Sequence, residues 1–454
     1  MSTERPVYEM LRAAAGRVSG HMPGHKGSAP FGPLNLYALD TTELPHTDDL
    51  YSPEGALREA EVRYARAAGS AEALFLHNGS TAGNHVMLQL YARAGDTVLL
   101  PRNAHLSAVN GCVPVGAHVV WMPVTQQADG WCRVTEETAL RCLREHPEAK
   151  ALLLTRPDYF GACVPLERIV EAAHAQGTRV LVDEAHGAHL PWLEGIPSAG
   201  ACGADAWVQS VHKTLPGLTG AAVLHLARAE DRPAAMRILR REQTSSPSFL
   251  LMLSIDDSRA WMEDGGRARL RAIVRAAEEV RAQLPGLGYR DAHAAWRETG
   301  FALDPTRLVI DAPQGGHALA EALAREGVDA EMADQRRVVL ILSAMDTPDT
   351  LRRVAEALGR IPPVRSELPP LPDVTALPEA AMEVRQAVLA DWETVPFDRA
   401  AGRIAAQAAG LYPPGVPQVC PGEVIAEETA RMLAQAGPRQ RFGTEGEGML
   451  CVKL

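Results

Sequence analysis

From residue 51 to about 285 the chain alternates short apolar runs with stretches of helical period. The runs are EALFLH (72–77), DTVLLP (96–101), AHVVWMPV (117–124), KALLLT (150–155), TRVLVDEA (178–185), DAWVQS (205–210) and AAVLHLA (221–227). Gly, Pro or polar residues bound them, as expected of strands. They are continuous rather than alternating, which marks strands buried on both faces, as in a parallel sheet. Between them EGALREAEVRYARAAGS and LERIVEAAHAQG read as helices, the first with Glu59 and Arg63 four apart on one face. In NHVMLQLYARAG, Gly95 suits the helix C-terminal end. The alternation predicts an α/β fold: a large, doubly wound, mostly parallel sheet with crossover helices.

After about residue 230 the pattern turns helical and charged up to 284. RLVIDAP then reads as a strand, GHALAEALAREG as a helix, RRVVLILSAM as a strand and TPDTLRRVAEALGRI as a helix. That predicts a smaller C-terminal α+β domain. The division expected is an irregular arm over 1–50, a major domain over 51–287 and the α+β domain over 288–454. A proline-rich link, PPVRSELPPLPDV (362–374), lies within the last.

Composition narrows the function. Of 454 residues, 45 are Lys or Arg and 56 Asp or Glu, a net charge of −11. A nucleic-acid binder would carry a basic excess. No apolar run is long enough for a membrane span, and MSTERPVYEML lacks the apolar core of a signal peptide. Seven cysteines without a CxxC spacing suggest neither a disulfide framework nor a zinc ribbon, so a reducing cytoplasm is expected.

Three stretches could carry chemistry. In VDEAHGAH (182–189) Asp183 ends an apolar strand, and open α/β sheets bind ligands beyond strand C-termini. Alone, such an acid reads equally as a turn cap. Asp183, His186 and His189 are also metal-ligand types, but without an HExxH-like spacing. In LHNGSTAGN (76–84) a strand leads through Ser80 and Thr81 into a helix, an anion-binding arrangement that alone reads as an ordinary N-cap. In SVHKTLPGLTG (210–220) Lys213 follows a strand-like run; alone it reads as a solvated loop lysine. Together the three match the needs of one cofactor, pyridoxal 5'-phosphate. It requires a phosphate cradle, a carboxylate for its ring nitrogen and a lysine amine for its aldehyde.

With these stretches in place, the sequence resembles the Orn/Lys/Arg decarboxylase family, within the fold type I (aspartate aminotransferase-like) pyridoxal-phosphate enzymes. The resemblance runs nearly end to end through MPGHKGS (22–28), DDLYSPEGALREAE (48–61), NGSTAGN (78–84), RNAHLS (102–107), VDEAHGAH (182–189) and QSVHKTLPGLTG (209–220). It continues through AAGRIAAQ (400–407) and YPPGVPQVCPGE (412–423). The length is similar to that of the short members. The resemblance implies that Lys213 is the Schiff-base lysine and Asp183 the partner of the pyridinium nitrogen. It further implies that His105 stacks on the ring, that Ser80, Thr81, Ser210 and His212 surround the phosphate, and that Ala185 and His186 flank the ring. Lys213 or His212 would reprotonate Cα. Glu423 matches a position at the mouth of the substrate site.

Three departures stand out: Leu106 where the family often has lysine, Asp158 where a small polar residue is usual, and Thr219-Gly220 after HKTLP. Asp158 could line the substrate side or be a solvated loop acid. The implied activity is decarboxylation of arginine, lysine, ornithine or a modified derivative, by a homodimer or larger homo-oligomer acting on a small molecule, with no nucleic acid or membrane partner. Another fold type I reaction, aminotransferase or lyase, and a non-catalytic cofactor-binding protein stay open. An aminotransferase would use a small-domain arginine for the substrate carboxylate; Arg336 and Arg337 precede a strand and are expected to be exposed.

Overall fold

The apolar runs pair into one seven-stranded sheet. In this computed structural model residues 17–32, 35–44, 46–368, 373–411 and 416–453 are described. Parts of the arm and of the proline-rich link, and the Tyr412–Gly415 stretch, lie outside the described residues. In chain order the elements used below are β1 (Val18–Gly20), α1 (Ala56–Ala68), β2 (Glu72–Leu76), α2 (Gly79–Tyr91), β3 (Thr97–Pro101), α3 (Leu106–Val115), β4 (His118–Met122), β5 (Ala151–Thr155), α4 (Glu167–Ala175), β6 (Arg179–Asp183), β7 (Ala206–Gln209) and β8 (Ala222–Leu226). They continue with α5 (Arg267–Gln283), β9 (Arg290–Asp291), β10 (Arg307–Asp311), α6 (Gly316–Arg325), β11 (Val328–Ala330), β12 (Met332–Ala333), β13 (Arg337–Ile341), α7 (Pro348–Arg360), β14 (Trp392–Pro396), β15 (Thr444–Glu445) and β16 (Gly448–Val452).

The large sheet has the order β2-β8-β7-β6-β5-β3-β4. The neighbours from β7 through to β4 pair in parallel, as the continuous apolar runs predict. The run at 221–227 differs from that expectation. β8 is antiparallel to both β7 and β2. A parallel neighbour needs a crossover, and the segment before β8 holds just the four-residue helix Val211–Thr214. Leu74, Val98, Leu153 and Val208 pack one face against α2 and α3. Leu99, Leu154, Val182 and Trp207 pack the other against α4. Full burial of each such side chain contributes about 1.5–3 kcal/mol. α1 ends at Gly69, whose φ of 71° lets its N–H turn back to Ala65 O and Arg66 O. α2 starts earlier than its periodicity suggests, within the Gly-Ser-Thr stretch, and stops at Tyr91, leaving Gly95 in the following turn.

A second, four-stranded sheet has the order β9-β10-β13-β12 and is antiparallel throughout. α5, α6 and α7 cover it through Ile273, Leu319 and Leu351. The arm joins this sheet's domain, since β1 pairs in parallel with β11, Val18 opposite Val328. Trp131 stacks on Trp296 with ring centroids 4.1 Å apart, inside an apolar cluster drawn from both sheets' domains. Residues 392–452 add two small sheets, one of them β14-β16-β15. Among the described residues no helix is long and apolar enough to cross a membrane.

Candidate active site

The register of the large sheet sets the site. Asp183 closes β6, with Thr155 of β5 opposite it on one side and Val208 of β7 on the other. Its side chain is buried. Asn84 of α2 donates from Nδ2 to Asp183 Oδ2 at 2.8 Å, and the Ala185 N–H donates to Oδ1 at 3.1 Å. The other Nδ2 hydrogen meets Ser107 Oγ at 2.8 Å. Ser107 Oγ lies 2.8 Å from His105 Nδ1, and the Ser107 N–H points at the same nitrogen at 3.2 Å. Because that backbone donor faces Nδ1, the nitrogen accepts and the ring carries its proton on Nε2. Burial lowers the His105 pKa, with the Lys213 charge adding to this and Asp183 opposing it. One chain of contacts therefore links Asp183, Asn84, Ser107 and His105 from three segments.

Lys213 lies on the short helix that follows β7. Its amine is 3.2 Å from His186 Nε2. The opposite ring nitrogen, Nδ1, faces Arg307 Nη2 at 3.4 Å, and that guanidinium donates to His186 O at 3.0 Å. A guanidinium has only donors, so His186 Nδ1 accepts and Nε2 carries the proton. That N–H can meet Lys213 Nζ only when the amine is unprotonated. The surroundings shift the amine in the same direction. Burial lowers the Lys213 pKa, Asp183 and Glu331 oppose it, and Arg307 adds to the lowering. Burial, with the charges of Lys213 and Arg307, drives the His186 pKa well below its usual value. Tyr159 covers the His186 ring, centroids 4.6 Å apart.

The anion-binding stretch has an open end. Asn78, at the N-cap of α2, makes no side-chain cap, and the first turn holds no acid. Ser80 is half-buried and Thr81 exposed. Ser210 is fully buried and its Oγ has no partner; Thr214 Oγ1 is likewise unpartnered. His212 donates from Nδ1 to Ala221 O at 2.9 Å, and burial lowers its pKa. The arm closes over this region: the Gly24 N–H donates to His212 O at 2.8 Å, while Ser343 Oγ, just beyond β13, donates to Gly24 O at 2.6 Å. A Cβ on Gly24 would lie 2.6 Å from Leu215 O.

Several expectations are corrected. Glu423 is not at an open mouth: it is 1% exposed, and both carboxylate oxygens take a hydrogen bond from Arg102, at 2.6 and 2.7 Å. Asp158 is not a solvated acid. It accepts from Trp131 Nε1 at 3.0 Å and from the Ala162 N–H at 2.8 Å, and burial raises its pKa. Arg337 is buried rather than exposed. It contacts Asp334 at 3.2 Å, donates to Asp129 O and lies over the Phe160 and Trp296 rings. His189 turns to Asp304 at 3.1 Å, away from Asp183. Among the described residues no three His, Cys, Asp or Glu side chains are grouped to hold a metal ion. Sequence reasoning missed Asn84, Ser107 and Arg307. The first two stand inside quoted stretches and, as buried polar residues, had to find partners. Arg307 is 121 positions from His186 and gave no local signal.

A doubly wound sheet carrying a half-buried lysine and a buried acid at its C-terminal edge, beside a small antiparallel domain, is the architecture of the fold type I pyridoxal-phosphate enzymes. The structure of lysine decarboxylase A from Pseudomonas aeruginosa shares this fold, with a TM-score of 0.77 at 20% identity, covering 91% of this chain and 74% of that one. An alanine–glyoxylate aminotransferase from Nostoc sp. does so more distantly, with a TM-score of 0.59 at 19% identity, covering 76% of this chain and 94% of that one. The chain belongs to the Orn/Lys/Arg decarboxylase family: residues 5–300 match its major domain and 366–441 its C-terminal domain. It is 32% identical to an arginine decarboxylase of Bacillus subtilis, across 94% of this chain and 92% of that protein.

Proposed function

We propose that the protein is a pyridoxal-phosphate-dependent decarboxylase of a basic amino acid, releasing CO2 and the amine. The observation that carries this is the meeting of a half-buried Lys213 and a buried, hydrogen-bonded Asp183 at one sheet edge, in a chain of this family. The residues present fit the cofactor. The uncapped N-terminus of α2, Ser80, Thr81 and the unpartnered Ser210 Oγ would hold its phosphate. Asp183 would pair with the ring nitrogen, His105 and Ala185 would flank the ring, and Lys213 would bear the aldehyde. When bound, pyridoxal phosphate supplies an electron sink for the pair released as the Cα–carboxylate bond breaks.

The protein's own groups do the rest. Burial, with the nearby Arg307 charge, shifts the Lys213 amine towards its unprotonated, nucleophilic form. Asn84 and the Ala185 N–H keep Asp183 aimed, so that its carboxylate can receive the proton on the ring nitrogen. Lys213 or His212 then returns a proton to Cα, a contribution of about 10²–10⁴-fold in rate. Arg337 is buried against Asp334 and donates to Asp129 O, which disfavours it as the substrate-carboxylate contact of an aminotransferase. We expect a homodimer or larger assembly, to be read by light scattering of the holoenzyme.

The test supplies the cofactor and offers arginine, lysine and ornithine, following CO2 and keto acid together. CO2 with the matching amine from at least one of them is expected. Keto acid without CO2 would replace this reading with transamination.

A further inference from the structure

Arg307 opens β10 as a fully buried guanidinium, and a buried cation must be held by something. Resting on the function proposed above, we propose that Asp304, three residues earlier, is a positioning residue for Lys213 that acts through Arg307 and His186.

The turn from Asp304 to Arg307 meets the site from the four-stranded sheet. Its backbone is tied on several sides. The Asp304 N–H donates to Gly161 O at 2.8 Å, the Leu342 N–H to Thr306 O at 2.9 Å, and Arg281 to Pro305 O and Arg307 O at 2.7 Å each. On this frame the side chains form one directed chain. Asp304 Oδ1 accepts the Thr306 N–H at 2.9 Å and the Thr306 hydroxyl at 2.7 Å. With its proton given away, Thr306 Oγ1 can only accept, and Arg307 Nη1 donates to it at 3.0 Å. Asp304 Oδ2 lies 3.4 Å from the same Nη1 and 3.1 Å from His189 Nε2. A guanidinium is a rigid fork, so fixing Nη1 aims Nη2. Nη2 donates to His186 O at 3.0 Å and faces His186 Nδ1 at 3.4 Å, and the opposite nitrogen of that ring is 3.2 Å from the Lys213 amine.

Charge makes the acid necessary. Asp304 is fully buried and is the one acid paired with Arg307 among the described residues. The other charges that meet Arg307 include Lys26 and Lys213, both cations. Burial alone would raise the Asp304 pKa, but the charges of His189 and Arg307 and the Thr306 hydroxyl hold it well below its usual value. Arg281 and His293 also feel this carboxylate. Around the Lys213 amine stand Asp183, Glu331, Arg307, His186, His105 and His212. Arg307 is the one among them that Asp304 aims.

Two routes lead from Asp304 to the amine, and they have opposite signs. Through space, removing a negative charge makes the amine easier to deprotonate. Through Arg307, removing the anchor draws a cation away and releases His186 Nδ1, which makes protonation easier. The second route is the one proposed.

The test is Asp304→Asn. Its amide oxygen can still accept from Thr306, while its NH2 is set against the donors of Arg307 and His189. The chain has four lysines, Lys26, Lys150, Lys213 and Lys453. Lysine labelled with carbon-13 at Cε therefore gives a countable NMR spectrum of the full, cofactor-free chain, and Lys213→Arg identifies the signal. In Asp304→Asn the Lys213 signal is expected to titrate about one pH unit higher than in the unaltered protein, roughly a tenfold loss of unprotonated amine at fixed pH. In the holoenzyme the rising limb of kcat/KM should move the same way. Thr306→Val changes no charge and should shift the Lys213 signal in the same direction. A Lys213 titration that stays in place or moves lower in Asp304→Asn overturns the proposal, because the acid then acts by its charge alone or not at all. Where Asp304→Asn does not fold, Thr306→Val is read instead, and an unmoved titration there overturns it. Absence of CO2 from arginine, lysine and ornithine with the unaltered protein would overturn the function itself, and the NMR comparison still decides the role of Asp304.

Discussion

Asn84 Nδ2 sits 2.8 Å from Asp183 Oδ2, although the two residues are 99 positions apart. The amide also grips Ser107, so that one side chain orients both the strand-end acid and the His105 segment. Asn84→Ala is expected to lower kcat by about 10- to 100-fold, the worth of a hydrogen bond to a charged group. The cofactor band should shift with pH where the unaltered protein's does not. An unshifted band and full activity would show that Asp183 is aimed by other means.

Lys213→Ala should lose the visible absorbance of the bound cofactor and all measurable CO2 release. The unaltered enzyme should gain activity as pH rises through the Lys213 pKa, which burial and Arg307 set below the usual lysine range. Arg307→Leu removes one lowering influence, so its rising limb should move to higher pH. A yellow and active Lys213→Ala enzyme would refute the assignment.

Glu184 gives the fold a pH dependence of its own. Burial raises its pKa from 4.5 to about 7, against the pull of Arg156. Across that window the folded protein holds a proton that the unfolded chain has released. Stability from this group is therefore full below pH 4.5 and declines as pH climbs to 7, by about 1–3 kcal/mol. In Glu184→Gln this decline should be absent from melting curves recorded between pH 5 and 8. Parallel curves for the two proteins would show that Glu184 stays ionised in the fold.

The Arg102–Glu423 pair predicts an asymmetry between single and double replacement. Arg102→Met strands a buried carboxylate and should cost about 3–5 kcal/mol, with faster hydrogen exchange across residues 417–423. Replacing both partners by methionine should recover much of that loss. A single variant as stable as the parent would mean that water reaches Glu423.

The sheet was legible because its strands are buried on both faces and so read as unbroken apolar runs. The direction of β8 was not, since antiparallel and parallel strands look alike when equally buried. Lys213 and Asp183 stood out as chemically odd residues at strand ends, whereas His105 was reached only through the family resemblance. Asn84, Ser107 and Arg307 were harder to see, because their roles come from contacts between distant segments. Glu423 and Asp158 show the converse. An acid in a suggestive stretch is spoken for when an arginine or an indole N–H reaches it first, and neither partner is adjacent in the chain.

Gly24 hydrogen-bonds the lysine loop with its N–H and the small domain with its carbonyl, in a gap where a methyl group would strike Leu215 O. The amino-terminal strap is thus a keystone between two halves that would otherwise meet beside Lys213 with nothing wedged between them. An engineer who transplants the seven-stranded unit into a chimera without residues 18–28 would carry over the residues proposed here to hold the cofactor. The clamp that stops the nucleophile's backbone from drifting would be left behind.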